Sequence, residues 1–154
     1  MLRSIEIDSA EVYKLTDDLY RASQKSVVEH IGAYMVQSTR DNFAANGRPD
    51  RWPDRADSTL SYNRKLSPRS AAFGSNKKTG DWPLLRKSGR MYASIDAIVA
   101  DIPGGQQVTI GDHTSYGVYH HYGTRKMPMR RFLVIRDEDN AAIDNIIVSG
   151  FLPE

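Results

Sequence analysis

Apolar residues between Gln24 and about Ala45 fall three and four positions apart: Val27, Val28, Ile31, Tyr34, Met35 and Phe43 make one stripe. About 22 residues at 1.5 Å per residue predict a rod of roughly 33 Å, the longest element of the chain. Gly32 lies near the stripe. It reads either as a place of close packing against a sheet or as an ordinary, mildly destabilising helix glycine. Upstream, Asp8 with Glu11 three residues later reads as a helix start, followed by Val12, Leu15 and Leu19 at helical spacing. Ser23 reads as a second cap, which would divide that helix from the long one. Met1–Ile7 alternates as a short edge strand does.

Asn46-Gly47 supplies a left-handed stop for the long helix. In GRPDRWPDRA two prolines flank Trp52, which predicts an ordered turn. Trp52 reads as an anchor to the body of the chain, with ligand stacking as the alternative. A short helix is predicted over Ser58–Leu66. Residues 67–82 are rich in Ser, Gly, Lys and Pro without a period, and read as a mobile loop. Leu84–Ser94 reads as helical, with Gly89 against it. The stretches Ile95–Ile102 and Gln107–Gly111, joined by Pro103-Gly104-Gly105-Gln106, predict an antiparallel hairpin. Tyr116–Tyr122 reads as a strand or as one or two helical turns, the short helix being favoured because Tyr116, Tyr119, His120 and Tyr122 then share a side, and Phe132–Ile135 reads as a strand or the entry to one. Asp137–Asp139 put negative charge at the start of a last helix that carries Ile143, Ile146 and Ile147 and stops near Gly150. The sum is an α+β fold: a long N-terminal helix and a C-terminal helix packed on a small antiparallel β-sheet, with a long mobile basic loop at about 64–82. One domain is expected over 1–154.

Composition narrows the chemistry. The chain has no cysteine, so disulfides, thiolate catalysis and cysteine zinc sites are excluded. It shows neither a secretory apolar segment nor a run long enough to span a membrane, so a soluble chain without membrane contact is expected. The net charge is only +2 but is unevenly spread. Between Arg64 and Arg90, eight basic residues (Arg64, Lys65, Arg69, Lys77, Lys78, Arg86, Lys87 and Arg90) face a single acid, Asp81. This block suits nucleic acid or an acidic protein surface; the plainer reading is a solvated loop.

The run YGVYHHYGTRKMPMRRFLVI, Tyr116–Ile135, is the densest in chemistry. Adjacent histidines point about 100° apart on a helix and to opposite faces on a strand, so His120 and His121 make a poor pair for one ion. His113 or Asp112 would be the nearest further ligand, and no HExxH, HxH or carboxylate cluster supports a metal. A metal-dependent nuclease using His113, His120 and His121 is therefore only a third hypothesis. One histidine is expected among Tyr116, Tyr119 and Tyr122, the other in solvent. Ser88-Gly89 and Ser115 lack the context of a nucleophile elbow, and Gly104-Gly105 is not followed by the GK[ST] of a phosphate loop. No catalytic, cofactor-binding or metal residue is assigned, and no enzyme is expected. Arg125, Lys126, Arg130 and Arg131, with Tyr119 and His120, are instead read as a subunit or partner interface, where Arg and Tyr are common anchors. Nucleic-acid backbone contact is the alternative.

The order of segments carries a resemblance. IGAYMVQSTRDNF, GRPDRWP, PLLRKSGRMYASI, VTIGDHTSYGVYHHYGT and MPMRRFL follow one another ahead of a last helix. Over about residues 24–150 the chain resembles the phage virion morphogenesis, or tail completion, family of Mu-like prophages. It is similar, more distantly, to neck and tail-joining proteins of other long-tailed phages. Leu85, Ser88 and Gly89, then Tyr116, His120, Tyr122 and Gly123, then Pro128, Arg130, Phe132 and Leu133 carry the match. Arg51 and Arg131 depart from it, standing where the family has glycine and proline. The resemblance implies a structural role in tail completion or head-to-tail joining, within the virion tail or neck, of a protein made in the bacterial host cytoplasm. It implies a ring of subunits, often hexameric, with other phage tail and neck proteins as partners and no cofactor. The Arg64–Arg90 block would then face a neighbouring protein or the DNA channel. A nucleic-acid-binding module using the same block is the rival reading.

Overall fold

The structure is a computed structural model that describes residues 9–67, 70–72 and 74–151. Its organising element is helix α1, Ser9–Ala44, of 36 residues, which at 1.5 Å per residue runs for about 54 Å. The two N-terminal helical stretches expected from the sequence are one. Ser23 is an interior residue of α1 rather than a cap. No proline interrupts the run, and serine costs a helix interior only a fraction of a kcal/mol. The edge strand expected over Met1–Ile7, and the cap at Asp8, lie outside the described residues.

The helix stops where its sequence says. Asn46 and Gly47 take φ of 58° and 112°, and the Gly47 N–H donates to the Asn42 carbonyl at 2.8 Å. A Cβ on Gly47 would stand 2.5 Å from the Asp50 carbonyl oxygen, so only glycine fits. The turn that follows contains a cis Arg48–Pro49 peptide. It returns Trp52 to the helix end, where the Trp52 N–H donates to the Asn46 carbonyl at 2.8 Å.

Beyond the turn come α2 (Asp57–Lys65), α3 (Arg90–Ala93), β1 (Ile95–Ile102), β2 (Gly105–Asp112), α4 (Gly117–Tyr122) and α5 (Asp137–Phe151). The fold is α+β. β1 and β2 pair antiparallel from Ile95 opposite Asp112 to Ile102 opposite Gly105, leaving Pro103-Gly104 as the turn. The hairpin lies on α1, and Gly32 is where they meet: a Cβ there would stand 3.0 Å from both the Ala97 and the Val108 side chains. Of the two readings of Gly32, the close approach to the sheet is the one the fold uses.

The core sits at the C-terminal end of α1. Phe43, Trp52, Leu84, Met91, Ile95 and Phe132 are buried together, each worth about 1.5–3 kcal/mol of apolar transfer. Phe43 is central. Its ring meets Trp52 edge-on at 5.5 Å, Tyr92 edge-on at 5.7 Å and Phe132 tilted at 5.6 Å. Trp52 is thus an anchor.

Two expected elements do not form. The helix read over Leu84–Ser94 shrinks to α3, because Leu85 and Gly89 adopt left-handed φ of 57° and 75° and break the run. The strand read over Phe132–Ile135 is extended chain outside any sheet. The Arg131 and Phe132 carbonyls there accept from side chains, Trp52 Nε1 and Asn42 Nδ2, instead of from a neighbouring strand.

One polar knot fastens α5 to α1. Asp139 is fully buried. Its carboxylate accepts from Tyr34 Oη at 3.0 Å, Ser38 Oγ at 2.7 Å, and the Arg136 backbone N–H and Nε at 2.9 and 3.0 Å. Arg136 Nη2 adds a contact at 2.9 Å. Burial pushes this carboxyl up, but the bonds from Arg136, Ser38 and Tyr34 outweigh burial and hold it below its usual range.

Candidate functional site

The segment after α4 is stitched into place by side chains. The Arg130 N–H donates to the His120 carbonyl at 2.8 Å. Its guanidinium turns inward and donates to the Pro53 and Asp54 carbonyls at 2.9 and 3.1 Å. Trp52 Nε1 donates to the Arg131 carbonyl at 2.8 Å and Asn42 Nδ2 to the Phe132 carbonyl at 2.9 Å. The Asn42 side-chain oxygen in turn accepts from Arg48 Nε at 3.0 Å, while Arg48 Nη2 reaches the Ser38 carbonyl at 2.9 Å. Three consecutive residues are thus tied to α1, to α4 and to the tryptophan turn. Arg130 is 7 % exposed, whereas Arg131 projects outward.

The stitched segment presents an exposed surface. Tyr116, Val118, Tyr119, Tyr122 and Met129 are each at least 39 % exposed. The turn between Thr124 and Met127, closed by backbone bonds of 2.8 and 3.1 Å, carries exposed Arg125 and Lys126. Both histidines are half-buried, which corrects the expectation that one would lie in solvent. His120 meets the Tyr116 ring edge-on at 6.1 Å; His121 sits 4.8 Å from Tyr122 and 5.2 Å from Phe132. Burial lowers both imidazole pKa values, assisted by Arg130 beside His120 and Arg131 beside His121, which favours the neutral rings. Asp112 is engaged locally, accepting from Ser94 Oγ at 3.2 Å, from the Thr114 N–H at 2.7 Å and from the Thr114 hydroxyl. Among the described residues no group of three His, Asp or Glu is arranged to hold a metal ion.

A cleft of about 370 Å³ opens beside this surface. Leu85, Ser88, Tyr116, His120 and Arg130 line it together with Arg55, Trp82, Lys87 and Arg90, and no carboxylate does. Residues from three separate motifs of the sequence therefore converge on one concavity. Arg55 is the part that the sequence did not reveal. Its guanidinium lies 3.8 Å over the Trp82 ring and donates to Asp81 Oδ1 at 2.6 Å and to the Trp82 and Pro83 carbonyls at 2.6 and 2.8 Å. Nothing in PDRWPDRA distinguishes Arg55 from Arg51, which pairs only with exposed Asp54. Asn42 and Asp139 were equally illegible, since an isolated polar residue in a helix looks solvent-facing.

The basic segment behaves differently. Arg64, Lys65, Lys77, Lys78, Lys87 and Arg90 are exposed. Arg86 is half-buried, with its guanidinium 4.5 Å over the Tyr92 ring. Arg69 lies outside the described residues. Asp81, the segment's one acid, is taken by Arg55. Buried Asn63 holds the backbone: its amide donates to Ser75 Oγ and the Gly80 carbonyl, each at 2.7 Å, and its oxygen accepts from the Ala72 N–H at 3.1 Å.

The joint spends its polar groups internally and turns aromatic and cationic side chains outward. The model of the phage virion morphogenesis family matches residues 10–151, and the chain belongs to that family. It is therefore a phage virion assembly protein. No curated protein and no solved structure matches it. Among the described residues no helix is long and apolar enough to cross a membrane.

Proposed function

We propose that this chain acts in tail completion or head-to-tail joining, as a structural, non-catalytic subunit of a ring in the virion tail or neck. The observation that carries the reading is the aromatic and cationic surface of α4 and the Thr124–Met127 turn, exposed on a segment that hydrogen bonds fix from beneath. Exposed Tyr with neighbouring Arg is the composition of interface anchors, and a pre-ordered backbone lowers the entropic cost of docking. Tyr119, Arg125, Lys126 and Arg131 make the contact; His120 and Arg130 support it from inside. The test is complementation of a phage lacking this gene with the Arg131→Glu chain, read by electron microscopy. Filled heads and separate tails are expected; a normal yield of joined virions removes the assignment.

A nucleic-acid contact by the basic segment is a second reading. Six described exposed cations, with the only nearby acid already paired, favour it. It predicts duplex binding whose affinity falls steeply with salt. No binding at low salt dismisses it.

A further inference from the structure

We infer that the cleft between Trp82 and Tyr116 receives the hairpin tip of a second copy of this chain, so that copies join head to tail. The inference rests on the assembly reading above and names its contact. The cleft has apolar walls, Trp82, Leu85 and Met91, and a cationic rim, Lys87 and Arg90, with no carboxylate among its lining residues. The tip offers the complement. Ile102 is 44 % exposed, Pro103 and Gly104 beside it are exposed, and Asp101 is exposed and anionic. Its carboxylate accepts from Gln106 Nε2 at 2.9 Å. An aliphatic side chain next to a carboxylate fits an apolar slot edged by cations.

The tip cannot reach its own cleft. It borders a hollow that it shares with Tyr20 and Gln24 of α1, whereas the cleft is held at the far end, where the Leu84 N–H donates to Asn46 Oδ1 at 3.1 Å. From Tyr20 to Ala44 the helix alone runs about 36 Å. Donor and acceptor surfaces at opposite ends of one rigid helix make a heterologous contact, which closes into a ring or continues as a filament.

The natural absence of cysteine makes the test clean. In the full chain carrying Ser88→Cys and Pro103→Cys together, which keeps Ile102 and Asp101 in place, mild oxidation is expected to give a ladder of disulfide-linked multimers on a non-reducing gel. An equal mixture of the two single variants should give mainly a mixed dimer. Adding Asp101→Lys should abolish the ladder, and adding Lys87→Glu with Arg90→Glu to that variant should restore it. No ladder at any concentration overturns the inference, as does a ladder indifferent to Asp101→Lys. Complementation separates this from the wider reading. If virion joining depends on the chain although the ladder is absent, the contact is wrong and the role stands. If the ladder forms but phage lacking the chain assemble normally, the role is wrong.

Discussion

The stitched joint and the basic segment use the same kinds of side chain in opposite ways. In the joint and its flanking knot, Arg48, Arg55, Arg130 and Arg136 each donate to carbonyls or carboxylates of their own chain. In the segment from Arg64 to Arg90, six charges, Arg64, Lys65, Lys77, Lys78, Lys87 and Arg90, stand outward over a backbone that Asn63 organises. Arginine is suited to the first task because its rigid fork can satisfy several acceptors while partly desolvated. The lesson is that charge at the sequence level does not separate scaffold from surface. Arg130 and Arg131 are neighbours, and one is structural while the other faces outward.

The sharpest way to break the comparison is at the knot. Asp139→Ala leaves Arg136 without its buried partner and should cost about 3–5 kcal/mol, read as a lower denaturation midpoint with an unchanged slope. A loss below about 1 kcal/mol would mean that the knot holds nothing.

Acid should reveal the same asymmetry. His120 and His121 have folded pKa values below the unfolded value of about 6.5. Between those two values the unfolded chain binds more protons, so stability falls as pH drops below about 6.5. Asp139 is also depressed, so its contribution is complete above its unfolded pKa of about 3.9 and is lost as pH falls further. Two acid steps are therefore expected in stability measured against pH. Asp139→Asn should remove the lower step and leave the upper one, and a single step unaffected by this change would contradict the assignment.

The smallest effect belongs to the basic segment. Lys77→Glu with Lys78→Glu should alter stability by no more than about 0.5 kcal/mol, as for exposed sites without partners. The same pair should weaken any duplex binding. A large stability loss would show that this segment is scaffold after all.

Regular elements were legible wherever a period existed. The stripe from Val27 to Phe43, the hairpin about Pro103-Gly104 and the acidic start of α5 all stand where the sequence put them. Errors arose where tertiary contacts overrode local pattern. Phe132–Ile135 has strand composition, yet Asn42 and Trp52 claim the carbonyls of Arg131 and Phe132 before any strand can. Leu84–Ser94 has helical spacing, but Leu85 takes a left-handed conformation that no local rule forecasts for leucine. The residue types of the candidate surface, Tyr119, Arg125, Lys126 and Arg131, were legible because aromatic and basic residues crowd one run; the structure shows them exposed. The cleft was not, since Arg55, Trp82 and Lys87 meet Tyr116 only after the chain has folded back.

The most direct test of the contrast is thermal unfolding of the Arg130→Glu and Arg131→Glu chains side by side. Reversal at Arg130 removes two bonds from a charged donor, about 1.5–3 kcal/mol each, and buries a carboxylate against carbonyls. Its midpoint should fall by about 5–10 °C or more. Reversal at Arg131 should leave the midpoint within about 2 °C of the parent. Equal losses, or an Arg130→Glu chain as stable as the parent, would contradict the division of the joint into a fixed interior and a free surface.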